Sequence, residues 1–150
     1  MNTLDVIIQV VTALIVTMGF GFLFNIRGSK LIVASIGGAL CWGLFLLLGI
    51  WIQSEALRYF LVSLCSTVYA EMFARVLKTP ATTFSIITLI PLVPGGALYY
   101  TTTFALSGTI EPFITKMIYT MELAVALSLG IVIVTAVFRS LPHSRNAKIT

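Results

Sequence analysis

Two short stretches hold the residues whose types could do chemistry. In "YTMELAVALSLGIVIV", residues 119–134, Glu122 is the one ionisable carboxylate in a long apolar run. A carboxyl held inside a membrane can carry a proton, or it can be pinned by a polar neighbour; Tyr119, one turn earlier, is the nearest on the chain. In "LIPLVPGGALYYTTT", residues 89–103, Pro91 and Pro94 stand three apart and Gly95 and Gly96 follow. Proline removes a backbone N–H and clashes with the preceding turn, and glycine adds backbone freedom. In lipid the freed polar groups must be satisfied by protein or water. A break there either kinks a helix around its neighbour or opens a helix end onto a path, as discontinuous helices do in many transporters. A second half-helix starting at Gly95 or Gly96 would present free N–H groups and a positive dipole end. Tyr99 lies about one turn further on, and Thr102 and Thr103 a second turn.

Glu71 and Arg75 form a third group. They are four apart on one helical face, in the order that favours an ion pair. A structural pair is the plainer reading and a gate the sharper one. Asn25 and Arg27 read as interfacial anchors. His143 is the single histidine and falls in a polar C-terminal stretch.

The elements that must position these residues are membrane helices. Of 150 residues, 59% are hydrophobic and 9% charged. A soluble domain keeps about a quarter of its residues charged. The apolar runs are continuous rather than alternating, which excludes a strand pattern. About 20 apolar residues cross a hydrocarbon core, and five stretches qualify: 4–24, 31–52, 57–77, 84–105 and 113–138, with a short basic tail at 139–150. The expected fold is all-α, a polytopic bundle whose fourth helix is broken at PLVPGG. Glu122 then falls near mid-membrane.

Charge placement orients the chain. Arg27, Lys30, Arg75, Lys78, Arg139, Arg145 and Lys148 fall on one side of five spans; Arg58 and Lys116 fall on the other. The positive-inside rule puts the seven in the cytoplasm, the N-terminus outside and the C-terminus inside. Asp5 stands where a secretory signal would carry a positive n-region, so the first run is expected to stay as a span. Small residues four apart, Ala34/Gly38, Gly37/Cys41, Ala124/Ser128 and Ala126/Gly130, permit close helix packing.

Composition also excludes function classes. Cys41 and Cys65 lie inside apolar runs with neither a disulfide framework nor zinc spacing. No basic stripe with aromatic partners points to nucleic acid. No nucleophile–base pair, phosphate loop or pair of aspartates points to an enzyme, and no metal or cofactor is expected.

The stretches "GFLFNIRGSKLIVASIGGALCWGL" and "LKTPATTFSIITLIPLVPGGALYYTT" resemble the threonine/serine exporter family, in particular its short C-terminal membrane module. The likeness covers roughly residues 19–138, and "PLVPGG…Y" is its most specific part. It implies export of small polar metabolites, threonine and serine or a dicarboxylate such as succinate, driven by the proton motive force across a bacterial inner membrane. It also implies a larger membrane component as partner, and carries Pro91, Pro94, Gly95, Gly96 and Tyr99 over as motif positions. An odd number of spans fits a half-transporter completed by that partner or by further copies of this chain. A non-transporting scaffold or regulatory subunit is the alternative. A break and a buried acid favour transport.

Overall fold

A computed structural model describes residues 3–140. Pro142, His143, Arg145 and Lys148 lie outside the described residues. Within them the regular structure is helical throughout: α1 (Thr3–Leu23), α2 (Ser29–Leu48), α3 (Glu55–Val76), α4 (Ala81–Leu89), a single 3-10 turn (Ile90–Leu92), α5 (Gly95–Leu106) and α6 (Ile110–Ser140).

Local chemistry sets the helix ends. Asn25 takes φ 57°, and Ile26 N–H then reaches back to the Gly21 carbonyl at 2.9 Å, closing α1 with a left-handed cap. Lys78, at φ 50°, closes α3 in the same way, with Thr79 N–H on the Ala74 carbonyl at 2.9 Å. Asparagine tolerates this conformation; lysine adopts it at a cost. The side chain of Ser54 caps the start of α3 by accepting from Leu57 N–H at 3.4 Å. Pro112 falls in the first turn of α6, where its missing N–H breaks no helical bond.

α3 is the central helix, packed against α2, α4 and α6. Small residues set the closest approaches. A Cβ on Gly130 of α6 would collide with the Ser63 hydroxyl and sit 2.9 Å from the Phe60 carbonyl oxygen of α3. At Gly38 of α2 it would collide with Thr17 of α1, and at Gly37 with the Tyr69 ring of α3. These contacts let backbones approach where no hydrophobic force pulls helices together. Two long-range hydrogen bonds reinforce them: Tyr69 hydroxyl to the Val33 carbonyl at 2.8 Å and Trp42 Nε1 to Gln9 Oε1 at 3.3 Å.

The expected five spans are not reached. Three helices, α1, α2 and α6, are long and apolar enough to cross a membrane, or four if the bent pair formed by 81–92 and 95–106 is one span. α3 has the length, 22 residues, but not the apolarity. It carries Glu55, Arg58, Glu71 and Arg75, and it buries Ser63, Ser66 and Thr67 as well as Glu71. Glu71 and the three hydroxyls are sheltered by neighbouring helices, while Glu55, Arg58 and Arg75 lie toward the helix ends, which is how a helix of this composition can sit in a bundle.

Candidate functional site

The break at PLVPGG is built residue by residue. Pro91 sits inside the 3-10 turn that ends the first half-helix. Val93 precedes a proline and is extended, φ −59° and ψ 126°. Pro94, at φ −74° and ψ 60°, then forms an inverse γ-turn, with Gly95 N–H on the Val93 carbonyl at 2.7 Å. α5 leaves at 67° to the first half-helix. No side chain caps its N-terminus.

Gly95 and Gly96 have open space where a side chain would go: a Cβ on either would meet nothing within 4 Å. They are therefore not there for close packing. They line a cavity of about 330 Å³ together with Pro91, Val93, Pro94 and Ala97. Trp42, Glu55, Tyr59, Tyr100, Lys116, Tyr119 and Leu123 complete the wall. Tyr119 donates its hydroxyl to the Glu55 carboxylate. The Lys116 ammonium lies 5.4 Å from the centroid of the Tyr119 ring. Glu55 and Lys116 thus bring opposite charges to one cavity, and they form no ion pair with each other within 4 Å. A small ligand with both a cationic and an anionic end would meet a complement for each.

A second, larger hollow lies on the other side of Val93. This groove of about 670 Å³ is mainly apolar and runs between α4 and α6. Its polar groups are Glu71, Thr82, Ser85, Thr135 and Arg139. Val93 lines both hollows. Along α6 the wall passes from Lys116, Tyr119 and Leu123 to Leu127, Ile131, Thr135 and Arg139. The broken helix and α6 therefore bound two hollows in series, with Val93 between them.

The residues singled out in the sequence are divided by this geometry. Pro91, Pro94, Gly95 and Gly96 come together at the cavity. Tyr99 is 66% exposed and stacks edge-on with Tyr100, their centroids 5.6 Å apart; Tyr100 is the one on the cavity wall. The Thr102 and Thr103 hydroxyls donate to the Tyr99 carbonyl at 2.8 and 2.9 Å, so their protons are used within α5. Thr101, one residue before them, bonds the Ala97 carbonyl at 2.8 Å and also reaches the Thr120 hydroxyl of α6 at 2.9 Å. Glu71 is 8% exposed, with its Oε2 3.9 Å from Arg75 Nε. Arg75 also donates to the Phe138 carbonyl at 2.7 Å and sits 4.9 Å from that ring's centroid, which ties α3 to the end of α6. Glu122 is exposed and on neither wall.

Glu55, Tyr100 and Lys116 were not among the candidate site residues, and Tyr119, expected beside Glu122, donates to Glu55 instead. Glu55 and Lys116 read in the sequence as ordinary charges beside the ends of spans. Their common surface is produced by the fold. The one available signal was the four-residue step from Gly96 to Tyr100, which places both on one face of a helix starting at Gly95.

The family model described as threonine/serine exporter, ThrE, matches residues 9–137. The chain belongs to the threonine/serine exporter family. The match runs from α1 to the last turns of α6 and so includes every wall residue of the exporter's cavity. With its apolar helices, it makes this exporter chain a multi-pass membrane protein. No curated protein and no solved structure matches the chain.

Proposed function

We propose that this chain is the membrane component of a secondary exporter of small polar metabolites, and that its substrate passes between the broken helix and α6. The observation that carries the reading is the cavity at the break. It joins an uncapped helix N-terminus, two glycines with open space above them, and the opposed charges of Glu55 and Lys116. That combination suits a zwitterion such as threonine or serine better than a dicarboxylate such as succinate, because Glu55 repels a second carboxylate. Val93 is the proposed partition between the cavity and the groove.

The orientation follows from charge. With α3 crossing inside the bundle, although too polar to count as a span by itself, Arg27, Lys30, Arg75, Lys78 and Arg139 would face the cytoplasm of a bacterial cell at its inner membrane. The groove with Glu71 and Arg139 would then open inward and the Glu55–Lys116 cavity outward. Transport is driven by the proton motive force, with Glu122 as candidate proton carrier and the Glu71–Arg75 pair as candidate inner gate. A larger membrane component of the same family completes the path.

Efflux from loaded cells tests the reading. Threonine and serine export that requires this chain, and that a correctly inserted Gly95→Leu, Gly96→Leu variant lacks, is the expected result. Equal export by that variant removes the break from the path.

A further inference from the structure

α6 has two opposite faces. Thr120, Leu123, Gly130 and Val134 are buried against the bundle. Ile118, Val125 and Leu129 are exposed, at 60%, 55% and 51%, and Glu122 is exposed with them. Ile118, Glu122, Val125 and Leu129 are spaced four, three and four, the step of a helix–helix seam. At 100° per residue this stripe lies on the far side of α6 from the buried one. None of the four lines the cavity or the groove.

Glu122 is six residues inward from Lys116 and seventeen from Arg139, roughly 9 and 26 Å along the helix. It is therefore well inside the apolar length of a helix that crosses the membrane. Among the described residues it forms no ion pair within 4 Å and no side-chain hydrogen bond, unlike Glu71 and Glu55. Lipid offers a carboxylate no donor, and intramembrane acids face protein or water.

We infer that the Ile118–Glu122–Val125–Leu129 face docks a transmembrane helix of a different membrane protein, one that presents a basic side chain to Glu122. Charge complementarity selects that occupant over a second copy. Among the described residues the Lys and Arg side chains fall in loops or toward helix ends: Arg27, Lys30, Arg75, Lys78 and Arg139, which the charge rule puts on one side, and Arg58 and Lys116 on the other. A two-fold pairing through this face would bring one Glu122 toward the other. The inference rests on the reading of the chain as one component of a larger exporter, and it names the face and the chemistry of that partner.

The test is photo-crosslinking in cells of the native host, with p-benzoylphenylalanine placed at Val125 or Leu129 in the full chain, and at Ile7 or Ile15 of α1 as controls. The expected result is one discrete adduct from α6, absent from α1, whose crosslinked peptide maps to a transmembrane helix with Lys or Arg within one turn. Glu122→Leu is expected to lower its yield at least tenfold, and Glu122→Gln to retain more of it. An adduct with a second copy, adducts with lipid alone, or a yield indifferent to Glu122→Leu in a variant that inserts normally would each overturn the inference. Efflux measured in the same cells separates the two claims. Export without the adduct sinks the docking face alone, and an intact adduct without export sinks the transport reading alone.

Discussion

Tyr119 of α6 donates its hydroxyl to the Glu55 carboxylate at the start of α3, joining two helices across 64 residues of sequence. The bond fixes one wall of the cavity and leaves the second carboxylate oxygen for another donor. It also places the anion beside the first turn of α3, where the helix dipole favours a negative charge.

Glu55→Gln should therefore separate recognition from folding. It keeps the shape and an acceptor for Tyr119 but removes the charge. Threonine efflux is expected to fall at least tenfold with normal insertion, while Tyr119→Phe costs about 1 kcal/mol of stability and a smaller share of flux. Initial efflux rates beside thermal unfolding in detergent check both. An unchanged rate in Glu55→Gln would mean that the ammonium end is read elsewhere.

The glycines should divide into two kinds. Gly130→Ala forces a methyl against Ser63 and the Phe60 carbonyl, and overpacking of this sort costs about 1–3 kcal/mol. Gly95→Ala and Gly96→Ala meet no atoms within 4 Å and gain helix propensity of up to about 1 kcal/mol each. Thermal unfolding is expected to drop for Gly130→Ala and to hold or rise for the other two, while efflux falls in those two as the cavity floor fills. A drop in stability at Gly95 as large as at Gly130 would contradict the open space above the break.

Arg75 carries two connections, one to buried Glu71 and one to the Phe138 carbonyl. Arg75→Leu leaves the Glu71 carboxylate without its cation. Because the Arg75 side chain is 36% exposed, the expected loss is about 1–3 kcal/mol rather than the full cost of a buried pair. Adding Glu71→Gln should recover part of it. Unfolding of the single and double variants measures the coupling, and strict additivity would show that the pair contributes no coupling energy.

Val93 is expected to act through its bulk. Val93→Phe narrows the passage between the two hollows and should slow efflux several-fold. Val93→Ala widens it and should raise leak when the proton gradient is collapsed. Identical rates in both variants would show that substrate does not pass this side chain.

Much of this is legible in the sequence alone. The break could be read because proline and glycine act on their own turn, and the packing glycines because small pairs four apart mark close helix contacts. The helical membrane class followed from continuous apolar runs. What the sequence could not show was tertiary. Glu55 and Lys116 become one site only because α3 and α6 pack together through Gly130 and Ser63. Five spans overcounted because α3 is apolar enough only in its middle, and its charges are accommodated by the helices around it. Tyr99, Thr102 and Thr103 were placed near the break by distance along the chain. The helical phase beyond Gly95 instead turns Tyr100 to the cavity and Thr101 to α6.

The most direct measurement is the efflux of loaded threonine, serine and succinate from cells expressing this chain with its larger partner, beside the Gly95→Leu, Gly96→Leu and Glu55→Gln variants at matched membrane levels. The expected result is threonine and serine export above succinate, abolished by the leucine pair and reduced at least tenfold by Glu55→Gln. Full export by the leucine pair, or succinate carried as well as threonine with Glu55 intact, would contradict a substrate path through the PGG cavity.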